Sequence, residues 1–586
     1  MMTVRGTLLA GLGAVLALLS ALGHEVRAET FDLILEGGTI YDGSGGPGYL
    51  GDVAVTGDRI AYVGPKAPGA AARIIDARGL AVAPGFINLL SWSNEALLYD
   101  GLGQSALRQG VTLEVMGEGI SMGPLTPAMR EEMISRQRDL RYAVEWTTLG
   151  EYLETLERRG VALNVASYVG AATVRMNVLG TDDVDPTSAE LDRMRAVVRR
   201  AMEEGALGVA SSLIYPPGVY AETDELVALV EEAGRCGGIY ATHMRSEGDR
   251  FLEAVDETIA IARRARTPVE IFHLKVGGRH NWGKMADAVA RIEAAREAGI
   301  RATTDMYVYH ASGTGLTASM PPWVQAGGFS AMAARLADPA LRQRVIADMR
   351  STDPGWDNVM AMAGGPDRVM LATVRNDALR PLIGKTIAEI ARDAGKTPED
   401  ALIDLVLADG GRPEAVYFTM SEDTIRDLVQ LPYMSFASDG AAMAPEGDFL
   451  KSAAHPRSYG NFARVFAHYV REERLLSVAE AVRRMTALPA AVLGLAERGR
   501  LRAGQVADVV VFDPDTIQDH ATFVAPHRFA TGVETVLVNG VVALRDGAPT
   551  GAKPGRVVRG RGWSGFADGG CRAASSDWSW AWPGQP

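Results

Sequence analysis

The 586-residue chain has only two cysteines, Cys236 and Cys571. Two thiols cannot build a disulfide framework, and they exclude a zinc cluster made of cysteines. A basic stripe is also missing. The 59 Lys and Arg stand against 72 Asp and Glu, a net charge of −13 spread along the whole length. Without clustered cationic side chains the chain has no electrostatic footprint for nucleic acid as a partner. What is present, 47% hydrophobic and 22% charged residues, fits a soluble globular protein long enough for more than one domain.

The N-terminus has its own character. Arg5 precedes an apolar run over residues 6–23, and Val26 and Ala28 then stand where a small-residue cleavage site would. Residues 1–28 therefore read as a signal peptide, and the mature chain is expected in the periplasm or outside the cell, with no stable membrane association. The run is nearly long enough to span a bilayer, so an uncleaved anchor is the rival reading. No cysteine follows it, which speaks against a lipid-modified terminus.

Residues 29–83 alternate and break at glycines, as in FDLILEGGTIYDG, with no helical period. The same pattern returns over 491–555 in ADVVVFDPD and VETVLVNGVVAL, where Asn539-Gly540 is a hairpin signal. Together these flanks predict a composite β-sandwich. Between them, residues 84–490 alternate strands with amphipathic helices. Eight strand candidates end near Trp92, Gly119, Gly170, Tyr215, His243, His273, Tyr309 and Gly440. That predicts an α/β fold, a (β/α)8 TIM-like barrel. The link before the last strand is too long for one loop, and residues 310–373 read as a lid inserted at the rim. Residues 556–586, rich in Gly, Ser and Trp, read as a loosely ordered tail holding Cys571.

Two strand candidates carry one histidine each at the C-terminal end, His243 in IYATHM and His273 in EIFHLK. The C-terminal rim is where barrel enzymes keep their chemistry. A histidine there also serves as a hydrogen-bonded structural residue; two in matched positions on adjacent strands point to a shared metal ion. Glu118, ending the second strand, is a ligand candidate beside them, with a salt-bridged loop residue as the alternative. Asp439, ending the eighth, is a general-base candidate or a capping residue. Glu114 shares a strand face with Glu118 and needs a partner that the sequence does not reveal. At a period of two, Arg245 shares the face of His243 and Lys275 that of His273. Either cation could grip a substrate carboxylate, and Lys275 could also be a carbamylated bridge or a paired lysine. Tyr307, Tyr309 and Ser312 place hydroxyls at the mouth of the seventh strand.

In their order, FDLILEGGTIYDGSG, VAPGFIN, THMRSEG, IFHLK, SDG and ADVVVFDP resemble the amidohydrolase superfamily and, within it, the N-acyl-D-amino-acid deacylases, over about residues 31–555. The resemblance implies a zinc-dependent enzyme that hydrolyses the amide of a small N-acyl amino acid. His243 and His273 match its zinc histidines and Asp439 its catalytic aspartate, while Lys275, Tyr307 and Ser312 fall in or near its substrate-contacting motifs. Two departures stand out. Where the family has Asp-x-His-x-His, this chain has Asn88, Leu90 and Trp92, and no His-x-His occurs among its nine histidines. Where the family has a ligand cysteine, this chain has Gly117-Glu118-Gly119. The expected set is one Zn2+ held by Glu118, His243 and His273, with Asp439 as acid and base. Other small amides, dipeptides or cyclic amides, or a non-catalytic pocket lined by Leu90 and Trp92, are the alternatives.

Overall fold

The computed structural model describes residues 30–352, 355–563 and 571. The expected signal peptide lies outside the described residues, as does most of the tail. Among the described residues no helix is long and apolar enough to cross a membrane.

Eight parallel strands form the centre: β1 Phe86–Asn88, β2 Val111–Met116, β3 Asn164–Ser167 (continued by Val169–Gly170), β4 Gly208–Ser212, β5 Ile239–His243, β6 Val269–Ile271, β7 Ala302–Met306 and β8 Met434–Phe436. Each pairs with the next in parallel register. The ring closes just beyond the ends of β8 and β1. Ser91 bridges Gly440 in parallel, the Asp439 N–H donates to Leu90 O at 3.0 Å, and the Trp92 N–H donates to Gly440 O at 3.0 Å. Strands covered on both sides read as unbroken buried runs, and β2, VTLEVM, is buried at every position. The helices between strands bury one stripe each. Phe251–Ala265 turns Phe251, Val255, Ile259 and Ile261 inward, and Ser188–Glu203 begins with a capping box between Thr187 and Glu190.

The chain ends meet as expected, but in one hydrogen-bonded sheet of nine strands. The seam is antiparallel, Ala81–Pro84 from the N-terminal part against Val509–Phe512 from the C-terminal part. Asn539-Gly540 turns the hairpin with φ of 49° and 80°. Aromatic rings fasten this sheet to the barrel. Phe86 of β1 lies 6.0 Å from Phe512 and 5.8 Å from Phe466, centroid to centroid. Burying each ring contributes about 1.5–3 kcal/mol.

Two sequence expectations need correction. The excursion between β7 and β8 does not stop at 373. Ser312–Gly315, Val369–Thr373 and Glu414–Tyr417 form one antiparallel sheet, and Leu316, Val345, Leu371, Leu402 and Tyr417 share its core. The helices Ile387–Ala394 and Pro398–Ala408 carry the amphipathic pattern of barrel helices yet pack on that core. The second correction concerns Cys571, expected in a loosely ordered tail but tied down. Cys236, at the end of helix Thr223–Arg235, is disulfide-bonded to Cys571 across 335 residues. The chain returns to it beneath the barrel. The Val558 N–H donates to Val165 O at 2.8 Å and the Gly560 N–H to Gly205 O at 2.9 Å. Tying down so long a loop is worth about 2–4 kcal/mol. Peptide mapping without reductant should therefore yield a linked Cys236–Cys571 peptide, and Cys571→Ser should lower unfolding stability by roughly that amount. Alkylation of both thiols in unreduced, folded protein would contradict the pairing.

Candidate active site

Three side chains from β2, β5 and β6 converge at the C-terminal rim. Glu118 reaches it through a tight turn. Gly117 and Gly119 have φ of 102° and 63°, and a Cβ on them would come within 2.4 Å of Tyr168 O and 2.3 Å of Ser212 Oγ. Only glycine fits both constraints. His243 ends β5, and His273 lies just past β6 with φ of 34°. All three are buried.

Glu118 Oε1 is 3.2 Å from His243 Nδ1 and 3.2 Å from His273 Nε2, and the two nitrogens are 3.1 Å apart. One face of a zinc tetrahedron with nitrogen and oxygen ligands has edges of about 3.3 Å. The donor set and its spacing therefore fit one cation, and among the described residues this is the one such cluster. Glu247 backs the imidazoles from behind. Its Oε1 lies 3.2 Å from His273 Nδ1 and 3.7 Å from His243 Nε2, an atom with no hydrogen-bond partner. A carboxylate behind a ligand histidine fixes its ring and raises its basicity. Burial pushes the Glu118 carboxyl up, but hydrogen bonds from the two imidazoles hold it well below the usual range. Burial and the Lys275 ammonium push His273 down; Glu118 and Glu247 outweigh them and lift it to about 10.

Asp439 follows β8 in left-handed backbone, φ 47°. Strain of this kind costs about 1–3 kcal/mol. Its Oδ1 accepts the Trp92 indole N–H at 3.0 Å, and the same N–H lies 3.0 Å from Glu118 Oε2. On the other side Arg457 Nη1 pairs with Asp439 Oδ2 at 2.7 Å. Arg457, on the helix Arg457–Arg464, is buried, stacks 4.5 Å over the Tyr307 ring and leaves its Nε without a hydrogen-bond partner. Burial alone would lower its pKa; Asp439, Tyr307 and Glu118 raise it instead. Tyr215, past β4, places its ring 5.2 Å from that of His243.

The other expected site residues scatter. Arg245 is a correction. Both faces of its guanidinium are committed, to Glu257 at 2.8 and 3.0 Å and to the carbonyls of Val219 and Ala221 at 3.1 and 2.7 Å. β5 stops at His243, so alternation no longer applies two residues later. Lys275 stays in the site as a paired lysine, 2.5 Å from Glu247 Oε1 and 2.7 Å from His273 Nδ1. Tyr307 is buried at the site, 6.3 Å from the His273 ring. Tyr309 turns to Asp519, 3.4 Å from Oδ2, and Ser312 Oγ meets Thr419 Oγ1 at 3.3 Å. The hidden partner of Glu114 is Asn88, whose Nδ2 donates at 2.9 Å, assisted by Ser93. Burial outweighs these bonds and pushes the Glu114 carboxyl up to about 7. Glu247, Arg457 and Trp92 were not foreseen in these roles. The only sequence signal was for Glu247, four residues after His243 in THMRSEG.

The sequence pattern of the amidohydrolase family matches residues 141–544. D-aminoacylase of Alcaligenes xylosoxydans xylosoxydans is 34% identical over 535 residues, covering 91% of this chain and 98% of that protein. N-acyl-D-glutamate deacylase of the same organism is 35% identical over 536 residues, covering 91% and 97%. The crystal structure of N-acyl-D-glutamate deacylase from Bordetella bronchiseptica, complexed with zinc and a phosphonate inhibitor that mimics the tetrahedral intermediate, superposes with a TM-score of 0.75 at 31% identity, covering 91% of this chain and 100% of that one.

The geometry makes metal retention depend on the cluster and not on its neighbour. After equilibrium dialysis against zinc, Glu118→Ala and His243→Ala should each hold well below one ion per chain, and Asp439→Asn a full equivalent. Undiminished zinc in Glu118→Ala would remove that residue from the ligand set.

Proposed function

As the chain belongs to the amidohydrolase family, we propose that it hydrolyses the amide bond of N-acyl-D-amino acids at one zinc ion held by Glu118, His243 and His273. The observation that carries this reading is the placement of Asp439 beside that cluster, linked to Glu118 through a shared donor. When bound, zinc supplies Lewis acidity and favours ionisation of water near neutral pH.

The protein's own groups do the rest. Asp439 is the base: its Oδ1 takes a proton from the attacking water and later returns it to the leaving nitrogen. Arg457 holds the other oxygen of that carboxylate and has a buried Nε free to pair with the substrate carboxylate. Arg457 thus takes the carboxylate-binding role that the sequence offers to Arg245 or Lys275. The Tyr307 hydroxyl has only a 3.9 Å contact with Met420 Sδ, and burial pushes its pKa well up, so it stays a donor at neutral pH. It is suited to orient the acyl or carboxylate oxygen. An exported location agrees with the Cys236–Cys571 bond, since disulfides persist in oxidising compartments.

A panel of N-acetyl-D-leucine, N-acetyl-D-glutamate, N-acetyl-D-aspartate, their L-enantiomers and a hydantoin tests the substrate class. Turnover is expected for D-enantiomers; activity confined to L-substrates or to the cyclic amide, or none at all, would overturn the reading. Asp439→Asn should lower kcat by roughly 10²–10⁴-fold with zinc retained. Arg457→Met should lower kcat/KM by at least about 30-fold, the loss expected for one partner of a buried charge pair. Near-normal kinetics in either variant would cancel that residue's role.

A further inference from the structure

Strand β1 lies between β8 and β2 in the closed ring. Asp439 sits past the end of β8 and Glu118 past the end of β2. The segment that follows β1 is therefore placed to touch both carboxylates, and in this chain it brings up Trp92, four residues past the strand. Its backbone is pinned to the Asp439 loop by the 3.0 Å bond from its N–H to Gly440 O. The residue remains 41% exposed and does not belong to the apolar core. The single indole N–H stands 3.0 Å from Glu118 Oε2 and 3.0 Å from Asp439 Oδ1.

Two carboxylates gathered round one point repel each other unless a cation or a donor lies between them. An indole nitrogen can only donate; it has no lone pair to offer a metal. Leu90, two residues past the end of β1, is buried among Ala166, Phe272 and Ala437 and offers no ligand atom. The donor set on the β1 side therefore does not fit a second metal ion. The same N–H also occupies Glu118 Oε2, leaving Oε1 alone to face the two imidazoles.

We propose that Trp92 takes the place of a second cation: its shared N–H positions Glu118 and Asp439 against each other and makes this a one-metal centre. Trp92 is a positioning residue, acting through the two carboxylates. The inference rests on the reading that Glu118, His243 and His273 hold the metal, and the test separates the two.

Apoprotein is titrated with cobalt(II), followed by elemental analysis and by visible and EPR spectra, for the wild type and Trp92→Phe. The phenylalanine keeps a ring and removes only the donor. The wild type should take up one cobalt per chain and show no spin-coupled pair at excess metal. Trp92→Phe should still hold one cobalt. Its d–d spectrum should change as Glu118 Oε2 is released. Its kcat on the best substrate of the panel should fall roughly 10–100-fold, the usual cost of losing an outer-sphere partner, with KM little altered. Two tightly held cobalt ions in the wild type would overturn this inference and leave the metal site standing. So would an unchanged spectrum and kcat in Trp92→Phe. No tightly held cobalt in the wild type would remove the metal site itself, and this inference with it. A wild-type count of two overturns the inference even if the variant folds poorly.

Discussion

Glu118 Oε1 lies 3.2 Å from a nitrogen of each of two imidazoles, in a barrel mouth where all three side chains are buried. An uncompensated carboxylate there would cost several kcal/mol. Much of the surrounding structure is arranged about that contact. Two glycines give Glu118 its turn, Glu247 supports both imidazoles from behind, and Lys275 balances Glu247. On the other side, Trp92 and Arg457 hold Asp439 by one oxygen each. The result is two acidic groups in different roles. Glu118 faces nitrogen atoms, and Asp439 faces a neutral donor and a fixed cation.

Backbone strain is part of the arrangement. His273 and Asp439 have φ of 34° and 47°, a region that side chains other than glycine rarely occupy. Both sit just past short strands, β6 and β8. There the chain leaves the pleat, so side chains can be aimed across the mouth. The Asp439 N–H bond to Leu90 O shows what holds it in place: the seam that closes the barrel also orients the base. Fold closure and site geometry are one constraint.

The same feature explains what could be read from the residues and what could not. All eight barrel strands were legible as buried runs, because hydrophobic patterning survives in a doubly covered sheet. The two histidines, Glu118 and Asp439 stand at strand ends, where position along the chain indicates position at the rim. Extrapolating the period-two alternation failed for Arg245, since β5 had already ended. Tyr309 and Ser312 lie beyond β7 for the same reason and found partners in Asp519 and Thr419. Arg457 enters from a helix after the last strand, and Trp92 reads locally as an apolar residue. Their roles depend on ring closure, which no local pattern encodes. The Cys236–Cys571 bond spans 335 residues and was equally hidden.

The central claim is that one cation is shared by Glu118 Oε1, His243 Nδ1 and His273 Nε2. Anomalous diffraction from zinc-loaded crystals, recorded on both sides of the zinc absorption edge, tests it directly. The account predicts a single peak within bonding distance of those three atoms, with Asp439 still on the Trp92 N–H. A peak that excludes Glu118, or two peaks astride it, would contradict the account.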